Sequence, residues 1–338
     1  MSYRIGIDAL HLKPTPRLAH TEYCSSDAIM RAVEAATGKP FNEAWEIDYS
    51  WYTNDGPVEW SKRGRTTDMG HGEFEAGGRD RRDPKPSPFK TVEEVWVFDA
   101  VAEYGLPDMA ELVAYYEREH AALKAGGDWV APGGYYKTVV SGAIEAFGWD
   151  MILSAAIDRG KFERVLDSFF RLSMHHARAW ARTSIEVFNC HDDFVWAGGP
   201  WIHPDFTRSA IVPRYRELWK VLRDAGKLVV FTSDGNYTPF VDDIVAAGAQ
   251  GLTFEPLTSF DEIVSRHAGR IAIMGSKVDT QTLTMGPIAK IKAQVDATLD
   301  LVKGRPGFFF AVGSHIPSNV PVANALAYFD HLRERWIC

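Results

Sequence analysis

The sequence predicts an α/β protein, a single (β/α)8 TIM barrel spanning residues 1–338 with an N-terminal insertion or lid region at 53–90. Three observations predict it. Five short apolar runs recur in the second half: SIEVFNC (184–190), KLVVFT (227–232), QGLTFE (250–255), RIAIMG (270–275) and GFFFAVG (307–313). Each is followed by a polar turn and a stretch of helical spacing, the alternation of βα units. Finally, 338 residues at 46% apolar and 24% charged supply one large core, and barrels with insertions run to this length.

In chain order, PRLAHTEY (16–23) reads as the first strand and 26–37 as the helix after it. AWEIDYSWYTNDGPVEW (44–60) is aromatic and loop-like, either a cap over the core or a stacking pocket for a flat substrate. Residues 53–90 are polar and broken by Gly and Pro, as an insertion is; the basic run Arg79, Arg81, Arg82 and Lys85 reads as a solvated loop. Helices dominate 107–182, with KFERVLDSFFRLSMHHARAWAR (161–182) the clearest, and His175 and His176 inside it read as structural. The later runs are rich in Val, Ile and Phe, which suits strands buried on both faces. Between them, 208–226, 238–248 and 259–269 carry helical periodicity and end in Gly226, Gly248 and Gly269. Ser259 with Glu262 three residues on forms a capping-box pattern. Segments 285–303 and 321–336 supply the last helices.

Composition narrows the function classes. Thirty-seven basic against 45 acidic residues give a net charge of -8, which argues against a nucleic-acid footprint. No run reaches the length of a membrane span, and the N-terminus lacks the pattern of a signal peptide. Cys24, Cys190 and Cys338 suggest neither a disulfide framework nor a thiolate cage. A reducing cytoplasm is the expected location.

In a βα barrel the residues just past each strand's C-terminal end face the active site. That register selects His20 and Glu22 after the first strand, and His191, Asp192 and Asp193 after SIEVFN. It selects Asp234 in SDGNY, Glu255 in EPL, Ser276, Lys277 and Asp279 after RIAIMG, and His315 in GSHIPSN. Asp279 reads as a helix cap, and Lys277 fits the surface equally well. His191, Asp193, Asp234 and His315 are the catalytic candidates. Glu22, Trp51, Tyr135, Tyr136, Trp201 and Glu255 are the candidates for holding substrate.

At these strand ends the sequence resembles the uroporphyrinogen decarboxylase superfamily, which includes the corrinoid-dependent methyltransferases. HDDFVWAGGPWIHPDF (191–206), VPRY (212–215), TSDGNYTPFVDDIVAAGAQGLTFEP (232–256), IMGSKVDTQTL (273–283) and GSHIPSNVPVANALAYF (313–329) carry the likeness, over roughly 130–338. True decarboxylases of the family have an Arg-Gln-Ala-Gly-Arg segment near the N-terminus that helps hold a polycarboxylate. PRLAHTEYCSS stands there, leaving Arg17 alone. Thiol-methylating members bind zinc through His-x-Cys and a distant Cys; those positions are Thr232, Asp234 and His315, so the usual zinc ligands are missing. Glu22, Asp234 and His315 would be a different metal set, and no residue is assigned to a metal outright.

The resemblance therefore implies the substrate-side, O-demethylase branch: a methyltransferase moving a methyl group from a small methoxylated aromatic compound to cobalamin. No Asp-x-His-x-x-Gly signature is present, so the corrinoid would ride on a separate partner protein. A homodimer is compatible with this. Decarboxylation of uroporphyrinogen III or a related carboxylated substrate is the alternative, with Arg63, Arg65 or Arg79 folded over the cleft.

Overall fold

A computed structural model describes residues 1–59, 73–74, 80–81, 86–313 and 315–337, so the 53–90 insertion falls mostly outside the described residues, and Arg63, Arg65 and Arg79 fall wholly outside them. In chain order the strands are β1 (Ala19–His20), β2 (Glu73–Phe74), β3 (Asp80–Arg81), β4 (Gly133–Tyr135), β5 (Val187–His191), β6 (Leu228–Ser233), β7 (Gly251–Phe254), β8 (Ala272–Met274) and β9 (Phe308–Phe310). β2 and β3 pair antiparallel with each other. The other seven form one parallel sheet in the order β1-β9-β8-β7-β6-β5-β4.

Residues 47–50 join the two edges of that sheet. The Asp48 amide donates to His20 O at 2.8 Å, Val130 N donates to Asp48 O at 2.9 Å, and Ser50 N donates to Val130 O at 3.0 Å. Tyr49 makes a parallel bridge to Val130, just ahead of β4. This segment is the eighth stave, and it closes the barrel between β1 and β4.

Two apolar clusters follow from the pleat, which turns successive side chains to opposite faces. Ala19, Tyr49, Val187, Val230, Ala272, Met274 and Phe309 point into the bore, where Ile7, Ala9 and Leu10 of helix Tyr3–Leu10 join them. The larger cluster lies between the staves and the outer helices and takes the alternate positions: Phe188 and Cys190, Val229 and Phe231, Leu252 and Phe254, Phe308 and Phe310. Strands with an apolar face on each side read as continuous runs, which is why five of them are visible in the sequence.

The helices begin where their caps lie. Ser26 accepts from Ile29 N ahead of Asp27–Thr37, and Gly38 ends that helix in the left-handed region. Ser259 accepts from Glu262 N ahead of Phe260–His267, and Asp279 accepts from Thr282 N ahead of Thr280–Met285. Asp279 is thus a cap. The expected helix 285–303 starts later, at Ile288, because Gly286 and Pro287 separate it from Thr280–Met285. His175 and His176 both lie in helix Arg159–Trp180, where His175 meets Pro107 O at 2.8 Å and His176 meets the Tyr116 hydroxyl at 2.7 Å.

Candidate active site

The pleat sorts the strand-end residues into two groups. Counting by twos from Val187 and Val230, positions 189, 191 and 193 of β5 and its extension and 232 and 234 of β6 and its extension face the bore. Asn189 and Thr232 show this first, with a side-chain hydrogen bond of 2.8 Å in the layer below the mouth. Above them lie His191, Asp193 and Asp234, one donor atom of each within 4.8 Å of the others.

Hydrogen bonds fix this group. Asp193 Oδ1 lies 3.1 Å from His191 Nε2 and accepts the Asp234 amide at 2.8 Å. Asp193 Oδ2 accepts the Tyr136 hydroxyl at 3.0 Å. Burial acts to raise the Asp193 carboxyl, but the His191 charge and hydrogen bond, helped by the Asp234 amide and Tyr136, bring it down to about 2. Burial, then the charges of Asp193 and Asp234, hold the Tyr136 phenol well above its ordinary range. Glu255 is tied in through its carboxylate, which accepts the Gly235 amide at 2.8 Å. Gly235 has φ +80 and packs so tightly that a Cβ would fall 2.8 Å from the Trp196 backbone; only glycine makes this turn beneath Asp234.

An arc of rings continues around the mouth in stave order. His315, after β9, stacks on Tyr23 with centroids 4.9 Å apart. Tyr23 stacks on Trp51 at 6.2 Å, and Trp51 meets His191 edge-on at 6.5 Å. Tyr136 lies 4.2 Å from His191. His315 is held at the far end of this arc by Ser25, whose Oγ is 2.6 Å from its Nε2. One side of the mouth is therefore aromatic and the other, from Asp193 through Asp234 to Glu255, is acidic.

Three expected substrate contacts are corrected. Glu22 faces outward; its carboxylate accepts the Val312 amide and the Tyr328 hydroxyl and lies 3.3 Å from His20 Nε2, so it ties β1 to the outer layer. Tyr135 faces outward, buried and stacked on His176 at 4.6 Å. Trp201 donates to Phe194 O at 3.0 Å and packs on Trp149 and Phe162, on the helix side of the loop. Glu22 and Tyr135 sit at strand ends but on the wrong side of the pleat, and Trp201 lies in the loop after β5 with its ring turned to Trp149 and Phe162. With Glu22 turned outward, the metal set Glu22, Asp234 and His315 is not assembled. Lys277, the other open case, pairs with Asp261 at 2.7 Å.

Arg17 is also spoken for. It makes a fork to Asp48 at 2.6 and 2.9 Å, donates to Leu18 O, and lies 4.5 Å over the Trp336 ring. A carboxylate substrate would have to displace Asp48 to reach it.

Three residues not singled out from sequence, Tyr23, Lys137 and Glu145, complete the site together with Asp192, which strand register selects. Tyr23 occupies the inward position next to Glu22. Lys137 and Glu145 form a fully buried ion pair, with Lys137 Nζ 3.7 Å from the Tyr136 ring centre. Asp192 accepts the amides of Val139, Val140 and Ser141 and the Tyr215 hydroxyl, so it anchors helix Val140–Phe147 beside the mouth. Counting the pleat from the apolar strand core would have found Tyr23 and rejected Glu22 and Tyr135.

The zinc site of thiol-methylating relatives does not fit here. Thr232 is hydrogen-bonded to Asn189, Cys190 is buried on the outer face of β5, and the donors that converge are one imidazole and two carboxylates. No helix among the described residues is long and apolar enough to cross a membrane.

The family model for uroporphyrinogen decarboxylase (URO-D) matches residues 87–335. A methyltransferase from Methanosarcina mazei superposes with a TM-score of 0.64 at 18% identity, covering 98% of this chain and 97% of that one. At that identity the likeness speaks for the fold. The GH53 catalytic domain of Ignisphaera aggregans covers 94% of this chain and 97% of that one, at 10% identity and a TM-score of 0.40. D-psicose 3-epimerase from Clostridium cellulolyticum H10 covers 73% and 93% at 13% identity and a TM-score of 0.36. Both scores are too low to carry an argument. No curated protein sequence matches the chain at a significant level. With residues 87–335, most of its length, matched by this one family model, the chain belongs to the uroporphyrinogen decarboxylase family.

Proposed function

We propose that this chain is a methyltransferase that moves a methyl group from a small methoxylated aromatic compound to a corrinoid carried by a partner protein. The observation that carries the reading is the divided mouth, with rings from five consecutive staves on one side and polar groups on the other. A flat substrate stacks well on such an arc. Trp51, Tyr23 and Tyr136 supply the faces. His191, Asp193 and Asp234 meet the ether oxygen, and His315 borders the far edge of the ring.

When bound, the corrinoid supplies the nucleophile that takes the methyl group. The chain's own work is to orient the ether and to manage the oxygen that is left. As the methyl departs, the C–O bonding pair stays on oxygen, which needs a proton or a positive charge beside it. The Tyr136 hydroxyl, which donates to Asp193 in the free site, is the donor this reading assigns to that oxygen. The likeness to a methyltransferase supports this reading. The engagement of Arg17 by Asp48 speaks against a polycarboxylate substrate.

The test is a single-turnover assay with reduced cobalamin and a panel of methoxylated aromatics, read as methylcobalamin and the matching phenol. Both products are expected from at least one compound. Silence across the panel, with uroporphyrinogen run alongside and losing carboxyl groups, would replace this reading with decarboxylation.

A further inference from the structure

His191, Asp193 and Asp234 lie on the ends of two adjacent staves, all at bore-facing positions, and each brings one donor atom within 4.8 Å of the others. Ligands about 2.0 to 2.4 Å from a common centre stand no more than about 4.8 Å apart, and the three atoms meet that spacing. His191 and Asp193 are each only 4% exposed. Asp193 is buried and Asp234 half-buried beside it; carboxylates this close repel one another, and buried charge is ordinarily paired or bound to metal. A separate observation concerns the imidazole. His191 Nδ1 is buried and has no hydrogen-bond partner among the described residues, so the ring is tied at Nε2 alone, to Asp193.

We infer that His191, Asp193 and Asp234 form a binding site for one divalent first-row transition-metal ion, held by an imidazole and two carboxylates with its open positions facing the bore. The donor set differs in kind from a thiolate zinc site and suits a harder ion. Tyr136, donating to Asp193 Oδ2, is the outer partner that orients one ligand. The inference concerns ion binding and stands apart from the reaction proposed above.

The experiment uses the full chain, stripped with chelator and titrated separately with Co2+, Mn2+ and Zn2+ by calorimetry. The Co2+ form is also read by absorption. One ion per chain is expected. Its Co2+ spectrum should show weak visible bands without the intense near-ultraviolet band of thiolate ligation. Asp234→Asn should weaken binding at least about tenfold with unchanged circular dichroism and melting temperature. Asp193 also holds the Asp234 amide, so Asp193→Asn risks the loop and Asp234→Asn carries the decision. No stoichiometric binding of any of the three ions, equal affinity in Asp234→Asn, or a thiolate band would overturn the inference.

Discussion

Two neighbouring pairs, Tyr135–Tyr136 and Asp192–Asp193, show how one step along the backbone changes a residue's task. Tyr136 donates to Asp193 at the mouth, whereas the Tyr135 hydroxyl is buried against the helix layer with no partner among the described residues. An unmatched buried hydroxyl contributes nothing that a phenyl ring would lose. Tyr135→Phe should therefore leave melting temperature unchanged or slightly raised, with full methyl transfer. Tyr136→Phe removes a hydrogen bond to a charged acceptor, worth about 1.5 to 3 kcal/mol. If that bond serves the transition state, single-turnover methylation should slow by about ten- to a hundredfold. Equal rates in the two variants would exclude Tyr136 from the chemistry. Asp234 is half-buried at an accessible turn, so Asp234→Asn should fold normally and slow methyl transfer by about a hundredfold. Unaltered turnover in that variant would remove Asp234 from the mechanism.

At the scale of elements, the site depends on how helix Val140–Phe147 starts. Its N-cap position is Val139, which has no side chain able to accept a hydrogen bond. Asp192 fills that need from β5, taking three amides and the Tyr215 hydroxyl, and Ser141 Oγ in turn accepts the Asp193 amide at 2.6 Å. Removing a buried, multiply bonded carboxylate leaves four donors unmatched. Asp192→Ala should lower stability by about 3 kcal/mol, read as a lower urea midpoint at unchanged slope. A midpoint equal to that of the parent would show that the helix start does not depend on Asp192. The same elements explain what could be read in the sequence. β5 to β9 were legible because Val, Ile and Phe runs announce strands buried on both faces. β4 is Gly-Gly-Tyr and the 47–50 stave forms a single bridge to Val130, so neither carries a propensity signal. The strand ends pointed to His191, Asp193 and Asp234, whose donor atoms lie within 4.8 Å of one another, but strand register without pleat parity also admitted Glu22 and Tyr135. The Lys137–Glu145 pair left no trace, because its burial comes from packing a helix onto β4 rather than from local pattern.

For the whole molecule, chemistry and stability occupy different shells of the barrel. The mouth faces the bore, while His176 lies in the outer shell between Tyr135 and Tyr116. Burial, with a smaller push from His175, lowers His176 from its ordinary value of 6.5 to about 3. Between those values the unfolded chain binds a proton at this histidine and the folded chain does not. The stability contributed by the neutral ring is therefore complete above about pH 6.5 and is lost progressively as pH falls toward the folded value. Chemical denaturation at pH 7 and pH 5 should show the parent weakening on acidification. His176→Phe keeps a ring against Tyr135 but loses the Tyr116 hydrogen bond, so it should start less stable at pH 7 and fall by less on the way to pH 5. Identical pH slopes in parent and variant would mean that this histidine takes up its proton in the folded chain as readily as in the unfolded one. Because His176 is separated from the bore by the stave that carries Tyr135, the same substitution should leave the affinity of the His191, Asp193 and Asp234 site for Co2+ unchanged. Loss of ion binding in His176→Phe would show instead that the two shells are coupled.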